Sequence, residues 1–215
     1  MRQWIDISFP YHEGMAIYPG NPPYIRKVVQ NVSRGDSATV SQITMGTHTG
    51  THIDAPLHVF ENGKSVDQIP LEQMNGRARL LDLRGMKQIG VAQLKAEKLC
   101  EGDIVLMKTD NTERFQGLHV LPDYVTLTYD AAEYLVDIGI KMIGLDYMTV
   151  ERPRGNRIEG KSVHCILLGA GIVVAESLDL RCVAAGEYEL FCFPMCIKGA
   201  EGAPARMVLV NSSVV

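Results

Sequence analysis

No C-x-x-C pair and no repeated cysteine spacing occur in the sequence, whose five cysteines (Cys100, Cys165, Cys182, Cys192, Cys196) are odd in number. A disulfide framework and a cysteine-rich structural zinc site are thereby excluded, and a reducing cytoplasm is the expected setting. Runs of five or six like charges are also missing, and 21 Lys plus Arg against 25 Asp plus Glu leave a net charge of -4. Nucleic acid is therefore not an expected partner. Nothing approaches the ~18 uninterrupted apolar residues of a membrane span, and Asp6 breaks the apolar start where a signal segment would need continuity. There is no low-complexity linker, internal repeat or composition shift, so one domain over residues 1–215 is expected.

What is present suffices for a core: 215 residues, 46% of them hydrophobic, need no staples. The first 30 residues are dense in turn formers (Pro10, Pro19, Gly20, Pro22, Pro23) around Tyr18 and Tyr24, and read as a loop pinned by prolines. Residues 38–45 mix β-branched and polar side chains as a strand does. Short apolar runs at 78–83, 104–108 and 142–146 alternate with helical patterns at 91–99 and 130–138, the second carrying an expected capping box from Asp130 to Glu133 and a stop at Gly139. A short apolar helix from Ser162, stopped by Gly169 and Gly171, precedes a buried strand from Ile172 to Ala175 that ends at Glu176, and strands near 189–195 and 205–211 close the chain. This alternation predicts a mixed α/β fold.

The chemistry is concentrated in one segment. Three of the six histidines and one aspartate lie within eleven residues: His48-Thr-Gly-Thr-His52-Ile-Asp54-Ala-Pro-Leu-His58. Gly46, Gly50 and Pro56 argue against a helix here and for a strand end running into a structured loop. A divalent ion of borderline softness takes neutral imidazole nitrogens and carboxylate oxygens at ~2.0–2.2 Å, and ligands two to four residues apart converge where the backbone turns sharply. Gly50 and Pro56 permit and fix such turns.

His48, His52 and Asp54 are accordingly read as metal ligands, with Asp54 able to bridge a pair of ions through its two oxygens. His58 stands apart beyond Pro56 and is assigned the proton shuttle, base and then acid. His164 and Glu176 can in principle reach a second ion if the Gly169/Gly171 turn folds them together; spacing alone favours ordinary helix and strand residues. His12 and His119 read as solvated or structural histidines, Cys192 and Cys196 as core rather than soft ligands, and Arg152, Arg154, Arg157 and Lys161 as a solvated basic loop rather than a carboxylate clamp.

The histidine segment resembles the H-x-G-T-H-x-D-x-P-x-H signature of the cyclase-like metal-dependent hydrolases, a family that includes bacterial kynurenine formamidases and isatin hydrolases. The likeness runs on through Tyr18-Pro-Gly, Gly144-Leu-Asp146, and His164-Cys-Ile-Leu-Leu-Gly with Glu176 twelve residues after His164. It implies a swivelling β/β/α fold and His164 and Glu176 as further ligands. It also implies one or two Zn2+ ions or Mn2+, a homodimer or tetramer, and Tyr18 near a small-molecule substrate. The implied reaction is hydrolysis of an amide, lactam or ester bond, best matched by an arylformamidase acting on N-formyl-L-kynurenine. An isatin hydrolase-like or cyclase activity on a cyclic amide, lactone or polyketide-like substrate is the alternative. Two departures stand out: Tyr18 occupies the slot where bacterial kynurenine formamidases carry tryptophan, and Val59 intervenes before Phe60 after the last signature histidine. A non-catalytic metal-binding domain is the third reading. Structural zinc sites are closed and rich in cysteine, whereas this set is His and carboxylate with a histidine to spare.

Overall fold

Residues 3–152 and 162–211 are described by the computed structural model. Four strands, β5 (Gly76–Asp82), β6 (Ile104–Lys108), β7 (Met142–Leu145) and β8 (Val173–Glu176), run parallel in the order β5-β6-β7-β8. They account for the apolar runs of the sequence: β6, β7 and β8 are buried along their whole length, as strands covered on both faces must be. Antiparallel strands continue the sheet, with β4 (His52–Asp54) on β8 and β10 (Gly202–Asn211) on β4. Because β9 (Gly186–Pro194) pairs with both β10 and β5, the sheet closes into a seven-stranded barrel.

The two-residue period of the strands divides the core. Ile104 and Leu106 point into the barrel with Ile53, Ala175, Cys192 and Met207, whereas Val105 and Met107 point outward to a second cluster. That outer cluster includes residues of the two covering helices, α4 (Tyr129–Ile138) and α5 (Val163–Gly169). Shorter helices α1 (Leu71–Met74), α2 (Val91–Lys95) and α3 (Asn111–Phe115) fill the connections.

Four details depart from the sequence reading. The first 30 residues are not all loop: β1 (Trp4–Asp6) pairs with β10, and β2 (Ile25–Gln30) forms a hairpin with β3 (Val40–Thr44). The first of these partners lies some 200 residues away, beyond any local signal. Helix α2 stops at Lys95, short of residue 99. Helix α4 is capped by Thr128, whose hydroxyl accepts from the Ala131 N–H; Asp130 sits in the first turn, where its charge suits the helix dipole instead. Gly139 does end it, left-handed at φ 78°. Cys192 is buried, but Cys196 lies past the end of β9 and is exposed.

Gly144, in the middle of β7, sits where barrel-interior side chains crowd the backbone. A Cβ there would stand 2.6 Å from Leu178 Cδ1 and 2.7 Å from Leu106 Cδ2. Gly144→Ala is expected to cost about 1–3 kcal/mol through overpacking, read as a lower urea midpoint at unchanged m-value; an unchanged midpoint would show that the barrel interior has slack.

Candidate metal centre

The barrel closure brings the chemistry together. Strands β4 and β8 pair antiparallel with His52 opposite Glu176. Ile53 and Ala175 face the barrel interior, so His52, Asp54 and Glu176, one residue to either side, face α5. On α5, whose first turn is capped by the Ser162 hydroxyl, His164 faces back toward them. The turn before β4, with Gly50 left-handed at φ 62°, supplies His48, and a one-turn 3-10 helix begun by Pro56 supplies His58. All six candidate residues named from the sequence thus meet at one place.

The distances are close enough for these groups to hold an ion together. His52 Nε2 lies 3.4 Å from Asp54 Oδ1 and 3.5 Å from Glu176 Oε2, and His164 Nε2 lies 3.1 Å from Glu176 Oε1 and 3.6 Å from Asp54 Oδ2. Ligands ~2.1 Å from a tetrahedral ion stand about 3.4 Å apart, so three of these separations suit a shared cation, while His164 Nε2 and Glu176 Oε1 at 3.1 Å are directly hydrogen-bonded. The remaining ring nitrogens are already engaged: His52 Nδ1 donates to the Gly50 carbonyl at 2.7 Å and His164 Nδ1 to Glu151 Oε1 at 3.1 Å. Each bond orients its ring so that Nε2 faces the carboxylates. Asp54 also belongs to a second cluster with His48 and His58, whose ligand atoms lie within 4.8 Å of one another.

The donor atoms fit an ion on a second count. Among the described residues, His52 Nε2, His48 Nε2 and Asp54 Oδ2 are buried without a hydrogen-bond partner. Each such atom costs about 1–3 kcal/mol when nothing satisfies it, a large sum beside a total stability of roughly 5–15 kcal/mol. A cation removes that cost by taking the lone pairs. His52, Asp54, Glu176 and His164 are the residues that would hold it, with His48 beside a second position shared through Asp54.

The electrostatics agree. Burial disfavours the Asp54 charge, yet His164, His48 and His52 around it hold its carboxyl well below the usual range. Burial and the Asp54 charge push Glu176 up. Burial also opposes charging of His52 and His164, but the carboxylates prevail and raise both, His164 well above its ordinary value. His58 moves the other way, lowered by desolvation against the wall and by the neighbouring histidines in spite of Asp54.

The centre opens into a cleft of about 530 Å³, walled by His48, His58, Met148 and Glu151 and, from the N-terminal loop, by Tyr18 and Asn21. Arg152 is exposed on the same wall, its guanidinium donating to the Tyr124 carbonyl at 3.3 Å. Arg154, Arg157 and Lys161 lie outside the described residues. His12 and His119 are exposed and far in sequence from every ligand. Two functional neighbours had escaped the sequence reading. Glu151 binds His164 and the Val163 N–H, and Glu201 lies 3.4 Å from His48 Nε2 while accepting from Thr47 at 2.6 Å. Neither stands at ligand spacing from the histidine segment, so only the closed barrel shows them.

Comparison with known proteins bears on this geometry. The Cyclase family model matches residues 5–152. This chain belongs to the Cyclase family. Kynurenine formamidase of Bacillus thuringiensis subsp. konkukian is 33% identical over 208 residues, covering 96% of this chain and 97% of the relative, and that of Bacillus cytotoxicus is 32% identical over the same shares. A solved structure described as a predicted metal-dependent hydrolase from Bacillus stearothermophilus superposes with a TM-score of 0.85 at 33% identity, covering 99% of this chain and all of that one. Isatin hydrolase A from Labrenzia aggregata shares the fold at a TM-score of 0.85 and 23% identity, over 99% of this chain and 94% of its own. This family member is a hydrolase, and its fold is the α/β barrel of these relatives. No described helix is long and apolar enough to cross a membrane.

The raised histidines set a pH dependence. A ligand histidine must be deprotonated to bind, so Zn2+ loading at neutral pH should release protons, and affinity should weaken as pH falls through the raised histidine pKa values. Calorimetry in two buffers of different ionisation enthalpy measures the release; a heat independent of buffer would mean that His52 and His164 are not displaced from their protons.

Proposed function

We propose that this protein is a metal-dependent arylformamidase that hydrolyses the formyl C–N bond of N-formyl-L-kynurenine. The observation that carries the reading is His58 standing free at the mouth of the cleft, its ring 4.3 Å from His48 and 5.5 Å from His164. The kynurenine formamidase relatives along the whole chain support the substrate. The ion would be Zn2+ or Mn2+, one or two in number, held by His48, His52, Asp54, His164 and Glu176. When bound, it supplies an acidified water, with its pKa brought toward ~7, and polarises the formyl carbonyl.

The side chains do the rest. His58, kept neutral by its lowered pKa, accepts a proton from the attacking water and, as imidazolium, returns it to the arylamine nitrogen while the C–N bond breaks. Tyr18, half-buried on the cleft wall, presents an aromatic face on which the substrate ring can stack, with its hydroxyl as a polar contact. Glu151 orients the His164 ring so that Nε2 faces Glu176 and Asp54. In a second reading the same residues open a cyclic amide or lactone. A scaffold role fits less well, because the ligand set opens onto a cleft instead of closing in a four-ligand cage. The exposed Ile25, Val29, Val40 and Ile43 on the β2–β3 hairpin support assembly as a homo-oligomer.

The test is hydrolysis of N-formyl-L-kynurenine beside isatin, simple aryl formamides and lactones, by chelated protein and by protein reloaded with Zn2+ or Mn2+. Ion-restored turnover of formylkynurenine is expected; activity confined to the cyclic substrates would move the protein to the second reading. His58→Ala should keep its metal content and lose about 10²- to 10⁴-fold in kcat, and equal turnover in the variant would remove His58 from the mechanism.

A further inference from the structure

Thr51 lies between the N-terminal loop and the ligand set, and every polar group it owns near them is engaged. It is fully buried and directly precedes His52. Its hydroxyl donates to the Ser177 carbonyl at 2.6 Å and accepts the Phe9 N–H at 3.0 Å. Its own carbonyl accepts the Tyr11 hydroxyl at 2.9 Å and the Ala205 N–H at 3.0 Å.

Ser177, the residue it grips, directly follows Glu176 and is left-handed at φ 57°. Among the described residues one other non-glycine shares that trait, Gln116 at the exposed end of α3. A side chain in this region is strained, and such strain persists where surrounding bonds over-determine it. Here the bonds are two: the Ser177 N–H donates to the Tyr147 carbonyl at 2.7 Å, and the Ser177 carbonyl is taken by Thr51. The His52–Glu176 register places Thr51 opposite Ser177, so the hydroxyl replaces the next rung of the ladder at the point where β8 must turn away.

We infer that Thr51 is a positioning residue for the ion site: its hydroxyl clamps Ser177 in the left-handed turn that aims Glu176 at His52 and ties the loop carrying Tyr18 to the same point. The ion site and the substrate loop are then one mechanical unit. This rests on the ligand set described above and not on the identity of the substrate.

The test is the Zn2+ dissociation constant of the full chain, without substrate, by competition with a chromophoric chelator. Thr51→Val, which keeps the shape and deletes the hydroxyl, should weaken binding about 10- to 100-fold, the usual scale for losing a group that orients a metal ligand. Thr51→Ser should restore it. Adding Ser177→Gly to Thr51→Val should recover most of the loss, because glycine takes the left-handed turn unaided. Should Thr51→Val not fold, Ser177→Thr approaches from the other side: its branched Cβ resists the turn while Thr51 stays intact, and weaker binding is again expected. A folded Thr51→Val or Ser177→Thr that binds Zn2+ as the wild type does overturns the clamp, as does failure of Ser177→Gly to rescue. Wild-type protein that binds no Zn2+ would remove the ligand set and the clamp with it, whereas loss of the formamidase reading alone would leave both standing.

Discussion

Two carboxylates and two imidazoles share one buried point between β4, β8 and α5, and the rest of the structure is arranged around the cost of keeping them there. Asp54 and Glu176 cannot both carry charge in that setting without a compensating cation, which is why one is driven down and the other up. In the absence of an ion the histidines supply the compensation, at the price of protons that an ion must expel. Both arrangements need the groups held in register. The barrel provides that, because β4 is sandwiched between β8 and β10 and cannot slide without breaking both ladders.

The second constraint is access. A structural ion would be enclosed, whereas here one side of the cluster faces a cleft bordered by His58 and Tyr18. His58 differs from His52 and His164 in the direction of its pKa shift as well as in its exposure. On the proposed reading the histidines divide into two jobs, His52 and His164 held by the Gly50 carbonyl and Glu151 as electron-pair donors, and His58 at the cleft as proton carrier.

Much of this was legible in the sequence, for a physical reason: the six candidate residues come from only two short segments, and the glycine and proline that bend the first segment sit inside it. The parallel strands were legible because burial on both faces writes an unbroken apolar run. What escaped depends on distant pairing. Strand β1 exists because β10 offers it an edge, barrel closure depends on β9 finding both β5 and β10, and Glu151 and Glu201 reach the site only once that closure is made. The misplaced cap of α4 is of another kind: Thr128 and Asp130 are both good capping types two residues apart, and backbone geometry chose the first. Cys196 was misjudged because β9 ends at Pro194, where the chain leaves the sheet.

The central claim is that His52, Asp54, Glu176 and His164 are the ligands of a metal ion. X-ray absorption at the zinc edge, on Zn2+-loaded protein in solution, tests it most directly. The account predicts a first shell of nitrogen and oxygen at ~2.0–2.2 Å, with imidazole outer-shell scattering and no sulfur. A shell containing sulfur at ~2.3 Å would place the ion on the cysteines and contradict it.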